Sequence, residues 1–206
     1  NPYDPCIANR VVDGKQQTIK FHADDLMSSH VDPKVNDKFY LWMDEMYGKY
    51  KKVTCTRGKI HTYLGMTLDF TKKGKVKIRM DDYVTRMLNE FPRKFNDGET
   101  QETPAGGNLF EPGKGGLLEP ERKEIFHSFV AKSLFLSKRA RLDIGPTVAA
   151  LASRAREPTQ GDWQKLVRMM RYLHSTQGMH LSLSADDLHI IKWYVDASFA
   201  THPDFK

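Results

Sequence analysis

Phe21-His22-Ala23-Asp24-Asp25-Leu26 sets two adjacent carboxylates between two apolar stretches, and its reading decides the fold. Before it, Gln17-Thr18-Ile19-Lys20-Phe21 has the composition of a strand; after it, Leu26-Met27-Ser28-Ser29-His30 is a short return strand. Neighbouring side chains in a regular strand point to opposite faces, so both acids share one site only where the backbone turns. The expected structure is a β-hairpin with the acids at its tip. Two carboxylates held close repel, and without a cation one of them tends to keep its proton. Oxygen donors of this kind suit Mg²⁺, with Mn²⁺ as its substitute, and such ions are commonly shared with substrate phosphates. The chemistry indicated is phosphoryl transfer. Asp81-Asp82 and Asp186-Asp187 repeat the dipeptide, but their surroundings read as a helix start and a solvated turn.

The chain outside the hairpin bounds this reading. Its 206 residues are 39% hydrophobic and 28% charged, ordinary for a globular protein of one large or two small domains. No apolar run reaches the roughly 18 residues that span a bilayer, so no membrane partner is expected. The start, Asn1-Pro2-Tyr3-Asp4-Pro5, has no signal-peptide pattern and no Met, and the chain reads as a piece of a longer one. Cys6 and Cys55 make neither a disulfide framework nor a zinc site and fit a reducing, intracellular compartment. The net charge is +6, and residues 119–176 carry 11 Lys and Arg against 6 Asp and Glu. A basic helical region of this kind suits a polyanionic ligand.

Strands are expected over 6–12 and 16–23 around Asp13-Gly14, a hairpin dipeptide. Asp32-Pro33 starts a helix that runs to about Tyr47, and Gly48 ends it. Further strands are expected over 52–56 and 59–70, the second containing Tyr63-Leu64-Gly65-Met66. Lys75-Val76-Lys77-Ile78-Arg79-Met80 alternates and should bury one face. A helix then follows Asp81-Asp82 as far as Phe91. Residues 92–118 hold three Pro and six Gly and read as a linker. Three helices follow, from Glu119-Pro120 to about Lys138, from Ile144 to Ala155, and from Thr159, with Asp162 as a capping-box partner. Strands return at about 179–184 and 189–196. Trp42, Trp163 and the Met-rich helix faces are expected in the core. The order is that of an α+β protein.

The succession of these landmarks closely resembles the reverse transcriptase of copia-type LTR retrotransposons. The resemblance rests on the x-x-Asp-Asp hairpin, the Leu64-Gly65 pair and the run Ser133 to Ile144 with Arg141-Leu142-Asp143-Ile144. It continues through Trp163, Arg171-Tyr172-Leu173 and a strand ending in Asp196-Ala197-Ser198. It covers nearly the whole chain in order. His22 and Ala23 stand where that family usually has Tyr and Val, Leu142 where it has Pro, and His174-Ser175-Thr176 where it has Lys-Gly-Thr.

The resemblance implies an antiparallel palm-type sheet with a helix over 1–91 and a linker over 92–118. A helical thumb and connection over 119–178 and the first strands of a ribonuclease H-like domain over 179–206 complete it. It implies an RNA-directed DNA polymerase with two Mg²⁺ ions, acting on an RNA or DNA template–primer duplex and deoxynucleotide triphosphates within a retroelement polyprotein. Such a protein works in cytoplasmic virus-like particles and in the nucleus. Asp24 would be the main metal ligand and Asp25 its neighbour, and Asp196 would be the first carboxylate of an incomplete ribonuclease H site. Contacts to nucleic acid would come from His22, Gly65, Lys72, Lys73, Lys75, Lys77, Lys165, Arg168 and Arg171. The third polymerase carboxylate is expected upstream of Asn1, so residues 1–206 alone should not extend a primer.

Two other readings fit the residues. One is a co-opted remnant that binds nucleic acid without catalysis, betrayed by frameshifts upstream. The other is an unrelated metal hydrolase using His22, Asp24 and Asp25, which would bind a metal tightly by itself.

Overall fold

The computed structural model describes residues 2–185, 187, 190 and 192–195. It is an α+β chain of two compact units, 1–64 and 65–206. In the first unit Asp13 and Gly14 both have positive φ (50° and 72°), the backbone of a tight reversal whose twist matches paired strands. Strands β1 (Ile7–Val12), β2 (Lys15–His22) and β3 (Asp25–Ser29) form an antiparallel sheet in that order. Their register pairs Arg10 with Gln17, Ile19 with Ser28, and His22 with Asp25.

Helix α1 (Pro33–Tyr47) starts where the Asp32 carboxylate accepts from the Lys34 amide at 2.9 Å. A polar chain ties it to the sheet. Arg10 Nε donates to Gln17 Oε1 at 2.6 Å, Gln17 Nε2 to Ser28 Oγ at 2.9 Å, and Ser28 Oγ to Asn36 Oδ1 at 2.7 Å. Gln17 is fully buried, and these partners satisfy its amide. Trp42, expected in the core, is 48% exposed and instead stacks on Phe39 beside Tyr47. The expected strand over 52–56 does not form. Val53 gives its amide to the Asp44 carboxylate and its carbonyl to the Tyr40 hydroxyl, so side chains of α1 occupy its backbone. Strand β4 (Ile60–Tyr63) closes the unit.

In place of one strand over 59–70, the backbone reverses at Leu64 and Gly65, both with positive φ (51° and 75°), before β5 (Met66–Asp69). Strand β6 (Lys75–Arg79) leads into α2 (Asp81–Glu90), and α3 (Pro120–Ser137), α4 (Gly145–Ser153) and α5 (Gln160–Ser175) follow. One apolar core joins α2 to the later helices. Phe91, fully buried, stacks on Trp163 with ring centroids 5.7 Å apart and meets Phe129 edge-on at 4.9 Å. Val84, Met87 and Leu88 of α2 enter the same core as Leu136, Val148, Leu166 and Met170. The compact units therefore divide at 64/65, with α2 on the helical side, and not at 92.

Residues 92–118 hold no helix or strand, yet they are pinned down along much of their length. Leu109 and Leu118 are buried, and Phe95 stacks on Phe91. The first-turn amides of α5 find their acceptors here: Gly161 donates to Lys114 O at 2.8 Å and Gln160 to Gly116 O at 3.0 Å. Gly161 is required for this approach, since a Cβ there would lie 2.5 Å from the Lys114 nitrogen. The segment is a strap across α5.

The strand expected at 179–184 forms as β7 (Leu181–Ser184), but it does not open a separate ribonuclease H-like sheet. It pairs antiparallel with β6, setting Leu183 opposite Val76 and Leu181 opposite Ile78. The apolar alternation of β6 supplies a matching edge. The second strand expected there, 189–196, falls largely outside the described residues, and Ile190 and residues 192–195 are in no regular element. Among the described residues no helix is long and apolar enough to cross a membrane.

Candidate functional site

The β2–β3 reversal is built from two residues, Ala23 and Asp24, closed by the pair His22 and Asp25. Ala23 has φ +50°, a left-handed conformation that a residue with a Cβ adopts at a cost of about 1–2 kcal/mol. A positive φ at the first central position makes a tight hairpin compatible with strand twist. It lifts Asp24 to the tip and starts β3 at Asp25, so the two carboxylates are successive side chains at one end of the sheet. Both are exposed, as are His22 and Ala23. Among the described residues, neither the Asp24 nor the Asp25 side chain makes a hydrogen bond or an ion pair. The fold leaves four carboxylate oxygens open to an external cation.

Tyr63, to which the sequence gives no site role, belongs to this neighbourhood. Its phenol is held above its ordinary pKa by burial first, and then by the negative charges of Asp25 and Cys6. The Asp-Asp hairpin, the N-terminal cysteine and the end of β4 therefore share one region of the first unit. No spacing rule links positions 25 and 63; only the folded sheet does. Two carboxylates are an incomplete set for a polymerase. Among the described residues no three His, Cys, Asp or Glu side chains are grouped to hold a metal. His22, Asp24 and Asp25 thus do not form the three-ligand site that a self-contained hydrolase would need.

The other expected site residues lie in the second unit. The Lys72–Lys75 turn, closed by Lys75 N donating to Lys72 O and by Gly74 at φ +74°, presents Lys72, Lys73 and Lys75 to solvent. Lys77 is half-buried on the same strand face as Lys75 and lies opposite Asp69 in the register. Thr71 holds the Asp69 carboxyl below its ordinary pKa by two hydrogen bonds, with Lys77 and Arg79 adding to the effect. Gly65, expected as a nucleic-acid contact, sits in the reversal before β5. A side chain there would meet no protein atom within 4 Å, and the glycine supplies the positive φ of the reversal.

Lys165, Arg168 and Arg171 do not form a free basic face. Lys165 donates to Leu109 O at 3.1 Å and Glu111 O at 2.5 Å and lies 3.6 Å from Asp162. Arg168 Nη2 donates to Thr103 Oγ1 at 2.9 Å, and Arg171 lies 3.6 Å from the Glu99 carboxylate. These cations hold the strap. Asp196 lies outside the described residues.

Arg141-Leu142-Asp143-Ile144, part of the family-like run, is internal structure. Arg141, 2% exposed, forks onto Asp143 through Nε at 3.0 Å and Nη2 at 2.9 Å. It also donates to Thr176 O at 2.9 Å and Thr176 Oγ1 at 2.6 Å. The Tyr172 hydroxyl donates to Asp143 Oδ2 at 2.7 Å. Burial pushes the Asp143 pKa up, but the hydrogen bonds from Arg141 and Tyr172 outweigh it and leave the carboxyl below its ordinary value. Tyr172 is shifted upward by burial and by Asp143.

The chain is similar to a transposon Ty5-1 protein of Saccharomyces cerevisiae, at 26% identity over 184 residues. The match covers 87% of this chain and 56% of that protein, so the chain spans a little over half the length of its relative. No family model matches the chain, and no solved structure matches it.

Proposed function

We propose that the chain is a retroelement-derived segment of a copia-type RNA-directed DNA polymerase, carrying the catalytic hairpin and the helices after it. One observation carries the proposal: Asp24 and Asp25 stand exposed and uncommitted at a strained two-residue turn. Similarity to a transposon protein supports the retroelement origin. In the parent reaction a primer 3′-hydroxyl attacks the α-phosphate of a deoxynucleotide, and pyrophosphate leaves. Asp24 and Asp25 are oxygen donors of the kind Mg²⁺ prefers, and they are free to bind it. When bound, Mg²⁺ supplies positive charge against the reacting phosphates. Asp24 is its ligand in this segment, and Asp25 shapes the turn and the local field. Lys72, Lys73 and Lys75 contact the duplex backbone, positioning it without reading sequence.

The test uses the longer parent protein. Asp24→Asn should abolish primer extension while duplex binding, measured by fluorescence anisotropy, stays within about twofold of wild type, as expected of an exposed residue outside the fold's contacts. Primer extension that survives this change would remove Asp24 from the reaction. Residues 1–206 by themselves should extend no primer.

A further inference from the structure

We infer that the cavity between the strap and α5 is a binding site for a small phosphate-bearing molecule. The cavity has a volume of about 420 Å³, within the range of roughly 300–1,000 Å³ typical of small-molecule sites. Lys114, Lys165, Arg168 and Arg171 line it, against one lining carboxylate, Glu111. The cations are unequal. Lys165 is satisfied by two strap carbonyls. The Nε–H groups of Arg168 and Arg171 are buried and have no hydrogen-bond partner among the described residues. The 3.6 Å approach of Arg171 to Glu99 is an ion pair beyond hydrogen-bond length.

Four cationic side chains around one lining carboxylate favour an anionic ligand that brings several acceptors. Phosphate does this, and its oxygens match the planar guanidinium fork. Leu109 and Val167 supply an apolar wall for the rest of such a molecule. The strap contacts both arginines, through Thr103 and Glu99, and so forms one wall of the site. The inference is independent of the polymerase reading.

Isothermal titration of the whole chain with inorganic phosphate, pyrophosphate and adenosine monophosphate tests it. One saturable site is expected, weakened at least about tenfold in Arg168→Gln and in Arg171→Gln, the loss of a charge-assisted hydrogen bond. Tighter binding of adenosine monophosphate than of phosphate would assign the apolar wall to the nucleoside, and equal binding would assign the site to the phosphate group alone; both uphold the site. Should the arginine variants unfold, Lys114→Gln replaces them. Its exposed side chain makes no hydrogen bond or ion pair among the described residues, and the change should weaken binding a few-fold. The inference fails if no probe saturates, if the folded variants bind as wild type does, or if a primer–template duplex displaces the probe.

Discussion

Asp24 and Asp25 end a hairpin of the first unit, their carboxylates exposed and without a hydrogen bond or ion pair among the described residues. Asp143 of the second unit receives a forked guanidinium, a tyrosine hydroxyl and the close charge of Arg141. Both are acids in short sequence motifs, and both sit beside a reversal of the chain. One has its valence filled by the fold and serves stability. The other is left unfilled at the expense of a left-handed alanine, which makes it available to something outside the chain.

Removing the partner of the filled acid and neutralising the open one should separate the two roles most sharply. Arg141→Ala takes the donor from the Asp143 carboxylate and the Thr176 groups and empties a buried site, and should cost about 3 kcal/mol in denaturant unfolding. Asp24→Asn should move the same measurement by no more than about 0.5 kcal/mol. Equal costs would abolish the distinction.

These two motifs also mark how far the sequence could be read. The hairpin was legible because its signal is local: a strand, two acids and a short return strand within about fifteen residues. The capping box at Thr159 and Asp162 was legible for the same reason, and both of its hydrogen bonds form. The Arg141 network was not legible, because its partners lie 29 and 35 residues on, at Tyr172 and Thr176, and only the packing of α5 brings them back. The strap was misread on composition. Its glycines and prolines suggested freedom, whereas Gly113 and Gly161 serve close approach. A Cβ at Gly113 would lie 2.2 Å from Thr159 Oγ1. A glycine in the first turn of a helix, at Gly161, was the available signal.

The second motif should contribute to the pH dependence of stability at both ends. Asp143 has a depressed folded pKa, so its contribution is full above the ordinary carboxylate pKa of about 3.9 and is lost as pH falls through the lower folded value. Tyr172 has a raised folded pKa, so its contribution is full below about 10 and is lost as pH rises through the folded value. Melting temperature should therefore hold a plateau between these limits. Tyr172→Phe should lower the unfolding free energy on this plateau by about 2 kcal/mol, the value of a hydrogen bond to a charged acceptor, and should weaken the alkaline limb. An unchanged alkaline limb would mean that another group titrates there.

The smallest effect belongs to the hairpin, where it tests the opposite side of the comparison. Ala23 sits at φ +50°, and glycine would relieve about 1–2 kcal/mol of strain there. Glycine also loses about 0.5–1 kcal/mol through the greater freedom of the unfolded chain. The two nearly offset, so Ala23→Gly should stabilise the first unit by under about 1 kcal/mol in denaturant unfolding. Its effect in the longer parent should run the other way. A turn that can relax holds Asp24 and Asp25 less firmly, so primer extension should slow while stability rises. Gains in both would show that the left-handed alanine is tolerated by the hairpin without serving the acids it presents.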